Sequence, residues 1–150
     1  MYSEVQKNNF EMIFSLNCLF LGESSIRTIQ VIISEKIIVA NNEIPYKKIS
    51  VSNVKSLILS EKQINYPLDQ LNLWKVDCVR VNQNNDLLET FSTEDEIKEK
   101  LGGELMIPRF PLESYFKAKE INTWEIHIFV VPTSTGKCLP MFYLSNKNLQ

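Results

Sequence analysis

The run from Met12 to Leu21 reads MIFSLNCLFL and is the most apolar stretch of the chain. Met12, Phe14, Leu16, Cys18 and Phe20 make an unbroken apolar face at period two, the repeat of a strand with one side in a core. A run this close to the N-terminus also invites a signal-peptide reading, which its surroundings oppose. Glu4, Lys7 and Glu11 stand where a basic region belongs, Ser15 and Asn17 interrupt the run, and Gly22-Glu23-Ser24-Ser25 follows without a small-x-small cleavage site. It is also too short to span a bilayer. A core strand is predicted, and no membrane span.

Outward from that strand, Gly22 to Ser25 supplies turn residues and Ile26 to Ser34 (IRTIQVIIS) resumes a β-branched pattern, so the two runs predict a hairpin. Ile37, Ile38 and Val39 extend the β-rich region until Ala40-Asn41-Asn42-Glu43 breaks it, and Pro45 predicts a loop. From Ser50 the period changes. SVSNVKSLILSEKQI puts Val54, Leu57, Ile58 and Ile64 near one face, predicting one long helix capped by Ser50 or Ser52 and ended by Asn65-Tyr66-Pro67.

Leu71 to Val81 (LNLWKVDCVRV) returns to strand chemistry, closed by the polar turn Asn82 to Asp86. Thr93 opens a short second helix, with acids in its first turn, lysines in its last and Gly102-Gly103 just beyond. Pro108 and Pro111 make Met106 to Phe116 irregular. In the final strand Trp124, Ile126, Ile128 and Val130 are predicted to face the core, with Glu125, His127 and Phe129 on the other side and Pro132 as the stop. The order β-β-α-β-α-β describes an α+β roll in which the long helix crosses a mixed sheet. Residues 1–11 are expected to be a flexible N-terminus, 12–132 the domain, and 133–150 a linker or tail.

A chain of 150 residues suits one domain, large enough to bury a core without metal or disulfide staples. Its three cysteines, Cys18, Cys78 and Cys138, include no close pair of the kind that holds zinc, so no metal and no cofactor are expected. A net charge of −2 gives no basic field for phosphates, and Lys47-Lys48 is the only basic pair, which argues against direct nucleic-acid binding.

No catalytic residue is predicted. Gly136-Lys137 is not a phosphate loop, because Val131 and Cys138 occupy the places of its first glycine and its Ser/Thr. A dyad of His127 with Cys18 or Cys78 would suit a small cysteine hydrolase, but the pattern sets His127 on the polar face and Cys18 on the apolar one. Glu94-Asp95-Glu96 is explained by the helix dipole. Gly102-Gly103 is a helix cap within the chain, whereas a conjugated modifier would be cleaved there and lose its last strand.

Ser50 to Lys55, a helix ending in Ile64 and then Pro67-Leu68-Asp69-Gln70-Leu71-Asn72-Leu73 resemble the helix-to-third-strand segment of ubiquitin. This implies a ubiquitin-like β-grasp with first and last strands parallel and adjacent. A wider resemblance rests on Ser15 to Gly22, Leu71 to Val76, Leu101 to Pro108 and His127 to Pro132, which are similar to the N-terminal header of Crinkler effectors, most closely the fungal branch. Oomycete headers carry a Leu-x-Leu-Phe-Leu-Ala-Lys motif. Leu71, Leu73 and, conservatively, Trp74 match it, while Lys75, Val76 and Asp77 depart from it.

The resemblance implies a non-enzymatic targeting and interaction header of a secreted effector, acting in the host plant cell and commonly in its nucleus, through a host protein partner. An intracellular ubiquitin-like adaptor is the alternative. Trp74 and Val76 alternate with Leu71 and Leu73, so one set is expected to leave the core and bind a partner, unless the 104–116 segment covers Trp74. The apolar tail residues Leu139, Met141, Phe142 and Tyr143 have no place in the roll and are expected to dock on a partner or a second copy, giving a homodimer.

Overall fold

The computed structural model describes residues 12–133 of the chain. Strand β1 (Met12–Phe20) forms where its period places it and pairs antiparallel with β2 (Ile29–Ser34), Leu16 opposite Val31. The predicted loop before the long helix is instead a second small hairpin, β3 (Lys36–Val39) with β4 (Asn42–Pro45). Its two turn residues, Ala40 and Asn41, both sit at positive φ (52° and 68°), the twist that suits a tight hairpin. Ala-Asn is a weak signal for that turn, and Pro45 takes only the last place of its strand.

Helix α1 (Val51–Lys62) starts at Ser50 through a reciprocal cap. The Asn53 amide donates to Ser50 Oγ at 3.3 Å and the Ser50 amide to Asn53 Oδ1 at 2.8 Å. It stops at Lys62, before the Asn-Tyr-Pro expected to end it, because Gln63 turns left-handed (φ 60°) and its N–H returns to the carbonyls of Leu59 and Ser60. Ile64 lies outside the helix and still packs on the core.

Strand β5 is only Leu71–Lys75, so the strand expected to run to Val81 is corrected. Asp77 accepts a hydrogen bond from the Val79 amide at 3.0 Å and caps helix α2 (Cys78–Gln83), which turns Val81 into a core. The β-branched run concealed that cap. Helix α3 (Glu94–Lys100) follows the sequence closely: Thr93 and Glu96 form a capping box, and Gly102 is left-handed at φ 62°. The described residues therefore hold three α-helices, one more than expected.

Strands β6 (Glu104–Leu105) and β7 (Ile128–Pro132) complete a five-stranded sheet ordered β2-β1-β7-β5-β6. β1 and β7 run parallel, Cys18 opposite Ile128, and the other pairings are antiparallel. A mixed sheet with first and last strands adjacent, crossed by one long helix, is the β-grasp arrangement of an α+β fold. Residues 124–127 precede β7, so Trp124 is not in the core but 77% exposed.

The central strands are buried on both faces of the sheet. Leu16, Cys18, Leu71, Leu73, Ile128 and Val130 meet Val54 and Ile58 of α1 in one core. Leu19, Trp74, Phe129 and Val131 meet Val81, Leu88, Phe91, Ile97 and Leu101 in a second core, so Phe129 is not on a polar face. Gly103 is required where these layers close: a Cβ there would lie 2.9 Å from Ile97 Cγ2 and 3.0 Å from Trp74 Cε3. Gly103→Ala is expected to lose about 1–3 kcal/mol of stability by overpacking in urea denaturation, with a native-like far-UV spectrum retained.

Candidate functional site

His127 is the chemically richest group in the described residues, and the fold buries it to 3% exposure, correcting the exposed strand histidine expected from the pattern. The Asn17 amide donates to Nδ1 at 2.9 Å, so the ring proton sits on Nε2, which faces the Asn122 carbonyl at 2.8 Å. The His127 amide in turn donates to the Asn17 carbonyl, and Asn17 Nδ2 donates to the carbonyls of Thr123 and Glu125, each at 2.7 Å. Phe116 meets the ring edge-on at 6.2 Å. Both nitrogens are thus committed to backbone partners, leaving none to accept a thiol proton.

The thiols are as poorly placed for chemistry. Cys18 is fully buried in the first core, and burial pushes its thiol far above the usual range. Cys78 donates to the Ile126 carbonyl at 3.5 Å, and burial, reinforced by the nearby Glu125 carboxylate, pushes it up to about 12. Iodoacetamide is expected to label neither at neutral pH in the native protein at more than a small fraction of the free-thiol rate, as peptide mapping would show.

The acidic triplet divides into structural tasks. Glu96 closes the cap of α3, and the amides of Ser92 and Thr93 hold its carboxyl below the usual range. Glu94 Oε2 accepts from Trp74 Nε1 at 2.7 Å and from Asn72 Nδ2 at 2.8 Å, fastening α3 to β5. The helix dipole, invoked from sequence, explains the charge but not this bond.

Trp74 (9% exposed) and Val76 (5%) are therefore core residues, contrary to the expectation that one alternate set leaves the core. The Gly102-Gly103 turn and α3 cover the indole; the 104–116 segment contributes through β6, whose Leu105 pairs with Trp74. Leu71 and Leu73 are fully buried on the opposite face. All three motif positions thus belong to the packing of one inner strand. The tail residues Leu139, Met141, Phe142 and Tyr143, with Cys138, lie outside the described residues.

Sequence reasoning expects partners at a sheet face or an open edge but does not identify that edge as the outer side of β2. A groove there is lined by residues 28–32 together with Leu57 and Glu61 of α1, and Ile32 is 52% exposed. Ile32 carried the signal of any strand residue. Its exposure depends on where β2 falls in the sheet order, which no local pattern encodes.

The matched family covers this whole assembly: residues 14–131 fit the model of the Crinkler effector protein N-terminal domain. The chain belongs to that family. No curated protein and no solved structure matches it. Because the match runs from Phe14 of β1 to Val131 of β7, the Crinkler domain includes α2, α3 and the second core they build.

Burial holds the His127 imidazole below its ordinary value of 6.5, outweighing the Asn122 carbonyl and Glu125. The folded state therefore prefers neutral His127, and its contribution is complete above that ordinary value and lost as pH falls through the lowered one. Unfolding free energy is expected to fall between pH 7 and 5 by up to about 1.4 kcal/mol per unit. His127→Gln, which can still accept from the Asn17 amide, is expected to flatten that component in urea titrations at stepped pH.

Proposed function

We propose that this Crinkler domain is a non-enzymatic targeting and protein-interaction unit of a secreted effector, acting inside host plant cells and in their nucleus. The observation that carries this reading is the family match over 14–131, which reaches from β1 to β7. The chemistry of the site supports it. His127 is locked between Asn17 and Asn122, and the two cysteine thiols within the fold are held protonated, so these nucleophile and base candidates serve the packing. A protein partner is read from the family, and self-association through Leu139, Met141, Phe142 and Tyr143 is part of the same proposal.

Residues 1–150, fused to a fluorescent cargo too large for passive nuclear entry and expressed in plant cells, are expected to concentrate the cargo in the nucleus at least severalfold over cytoplasm. Even cytoplasmic fluorescence would overturn targeting by this domain and favour an adaptor role, which the β-grasp topology also suits. Light scattering on the purified chain is expected to give twice the monomer mass, falling to monomer when Met141 and Phe142 are both replaced by Ser; monomer in the parent chain would remove self-association.

A further inference from the structure

The sheet has two outer edges, and the fold treats them differently. β6 is two residues long, Glu104 and Leu105, too short to template another strand. The separate β3–β4 hairpin carries a Lys36–Glu43 ion pair at 3.5 Å and ends in Pro45, two devices that discourage edge pairing. β2 reads IQVIIS: six residues, no charge, no proline and four β-branched or aliphatic side chains. It is the last strand on its side of the sheet, so every second residue turns its N–H and C=O away from β1.

A groove follows this edge, which no described strand covers. Its lining includes five consecutive residues, 28–32, and consecutive strand residues point to opposite faces. They can share one groove only if it runs alongside the strand, where the outward backbone groups are. The α1 side of the groove is formed by Leu57 and Glu61, and Ile32 offers an apolar surface on the other side. Glu61 is its only ionised lining residue and makes no ion pair with any described residue; Arg27 lies beyond the Thr28 end and does not line it.

We infer that the β2 edge is a docking site for an extended segment of a partner protein, added as a sixth strand, with aliphatic residues at alternating positions and a Lys or Arg against Glu61. The inference rests on the interaction role proposed above and names its surface. Backbone hydrogen bonds to residues 28–33 supply the pairing. One alternate set of partner side chains packs on Leu57, the other on Ile32, and the basic end answers the lone carboxylate. A groove this poor in charge rejects an acidic segment, which would face Glu61 unpaid by any base in the lining.

Three synthetic six-residue peptides test this against the isotope-labelled full chain by NMR: alternating valine and threonine with a terminal arginine, the same with glutamate in place of arginine, and the arginine peptide with N-methylated valines. The arginine peptide is expected to shift the amides of 28–33 and slow their exchange, the glutamate peptide to bind about threefold to tenfold more weakly, and the methylated one not to bind. Ile32→Lys, at an exposed position that spares the cores, is expected to weaken the arginine peptide at least fivefold. The inference is overturned by no binding, by shifts elsewhere, by equal binding of the three peptides, or by protection, already in the isolated chain, of the β2 amides that point away from β1. In that last case, concentration-dependent protection assigns the edge to a second copy and concentration-independent protection to another segment of this chain. The nuclear-accumulation assay on the parent protein separates the two readings: cytoplasmic parent protein sinks the targeting role whatever the peptide does, whereas nuclear parent protein without peptide binding sinks only the edge assignment.

Discussion

The structure depends on the parallel contact between β1 and β7, because it joins the first and last described strands at the centre of the sheet and everything else packs on them. Parallel pairing has no tight turn to set its register, so the register must be fixed by side chains. Asn17 and His127 do this. Their backbones exchange hydrogen bonds directly and through the imidazole, and the Asn17 amide group gathers the loop that leads into β7. A protonated ring would present an N–H to the Asn17 N–H, leaving two buried donors facing each other, at a cost of about 1–3 kcal/mol apiece against a net gain nearer 1 for an ordinary hydrogen bond. The clasp is therefore stable only with a neutral ring, and burial provides that condition.

A central strand with neighbours on both sides must also be covered on both faces, which explains why β7 reads as a continuous apolar run. α1 covers one face with the residues its 3.6 period aligns. The other face is covered by the chain between β5 and β6, whose helices α2 and α3 are short and bring only one buried side chain each from within their spans, Val81 and Ile97. Elements so short hold position through discrete bonds, which is why Glu94 reaches two side chains of β5 and why Gly103 has no room for a methyl group. The tryptophan is consumed in that closure. An indole that is both packed and hydrogen-bonded gains more from the core than a surface anchor could return without reopening the second layer.

Periodicity and caps were legible from the sequence where one local rule dominated. Met12 to Leu21 had an unbroken period of two, Ser50 was one of two cap candidates and caps α1, and Thr93 with acids after it and Gly102-Gly103 beyond marked both ends of α3. What escaped were features set by nonlocal geometry or by a single polar residue inside an apolar run. Asp77 ended β5 by capping α2, although its neighbours are those of a strand. Alternation extended back to Trp124 puts His127 and Phe129 on a polar face, but Trp124 lies in the loop that precedes β7. The resemblance to the Crinkler header was legible because it rested on segments dispersed along both cores, and the family match reaches into each of them. The motif leucines match a family motif in sequence and are packing in the fold, since both descriptions concern the same inner strand.

A domain that spends its histidine, its two described thiols and Trp74 on its own architecture has backbone and shape left to offer a partner. Backbone recognition suits a small, acidic domain: an edge strand supplies several aligned donors and acceptors without any further charge, and it discriminates through the few side chains flanking it. The second core makes this edge more valuable, because helices on both faces of the sheet leave its rim as the place where ordered backbone meets solvent. Four aliphatic side chains and no charge in β2 would be a hazard in a strand left permanently bare. Retaining that composition at an edge, while the other edges are short, charged or ended by proline, is understandable if the edge is covered during function.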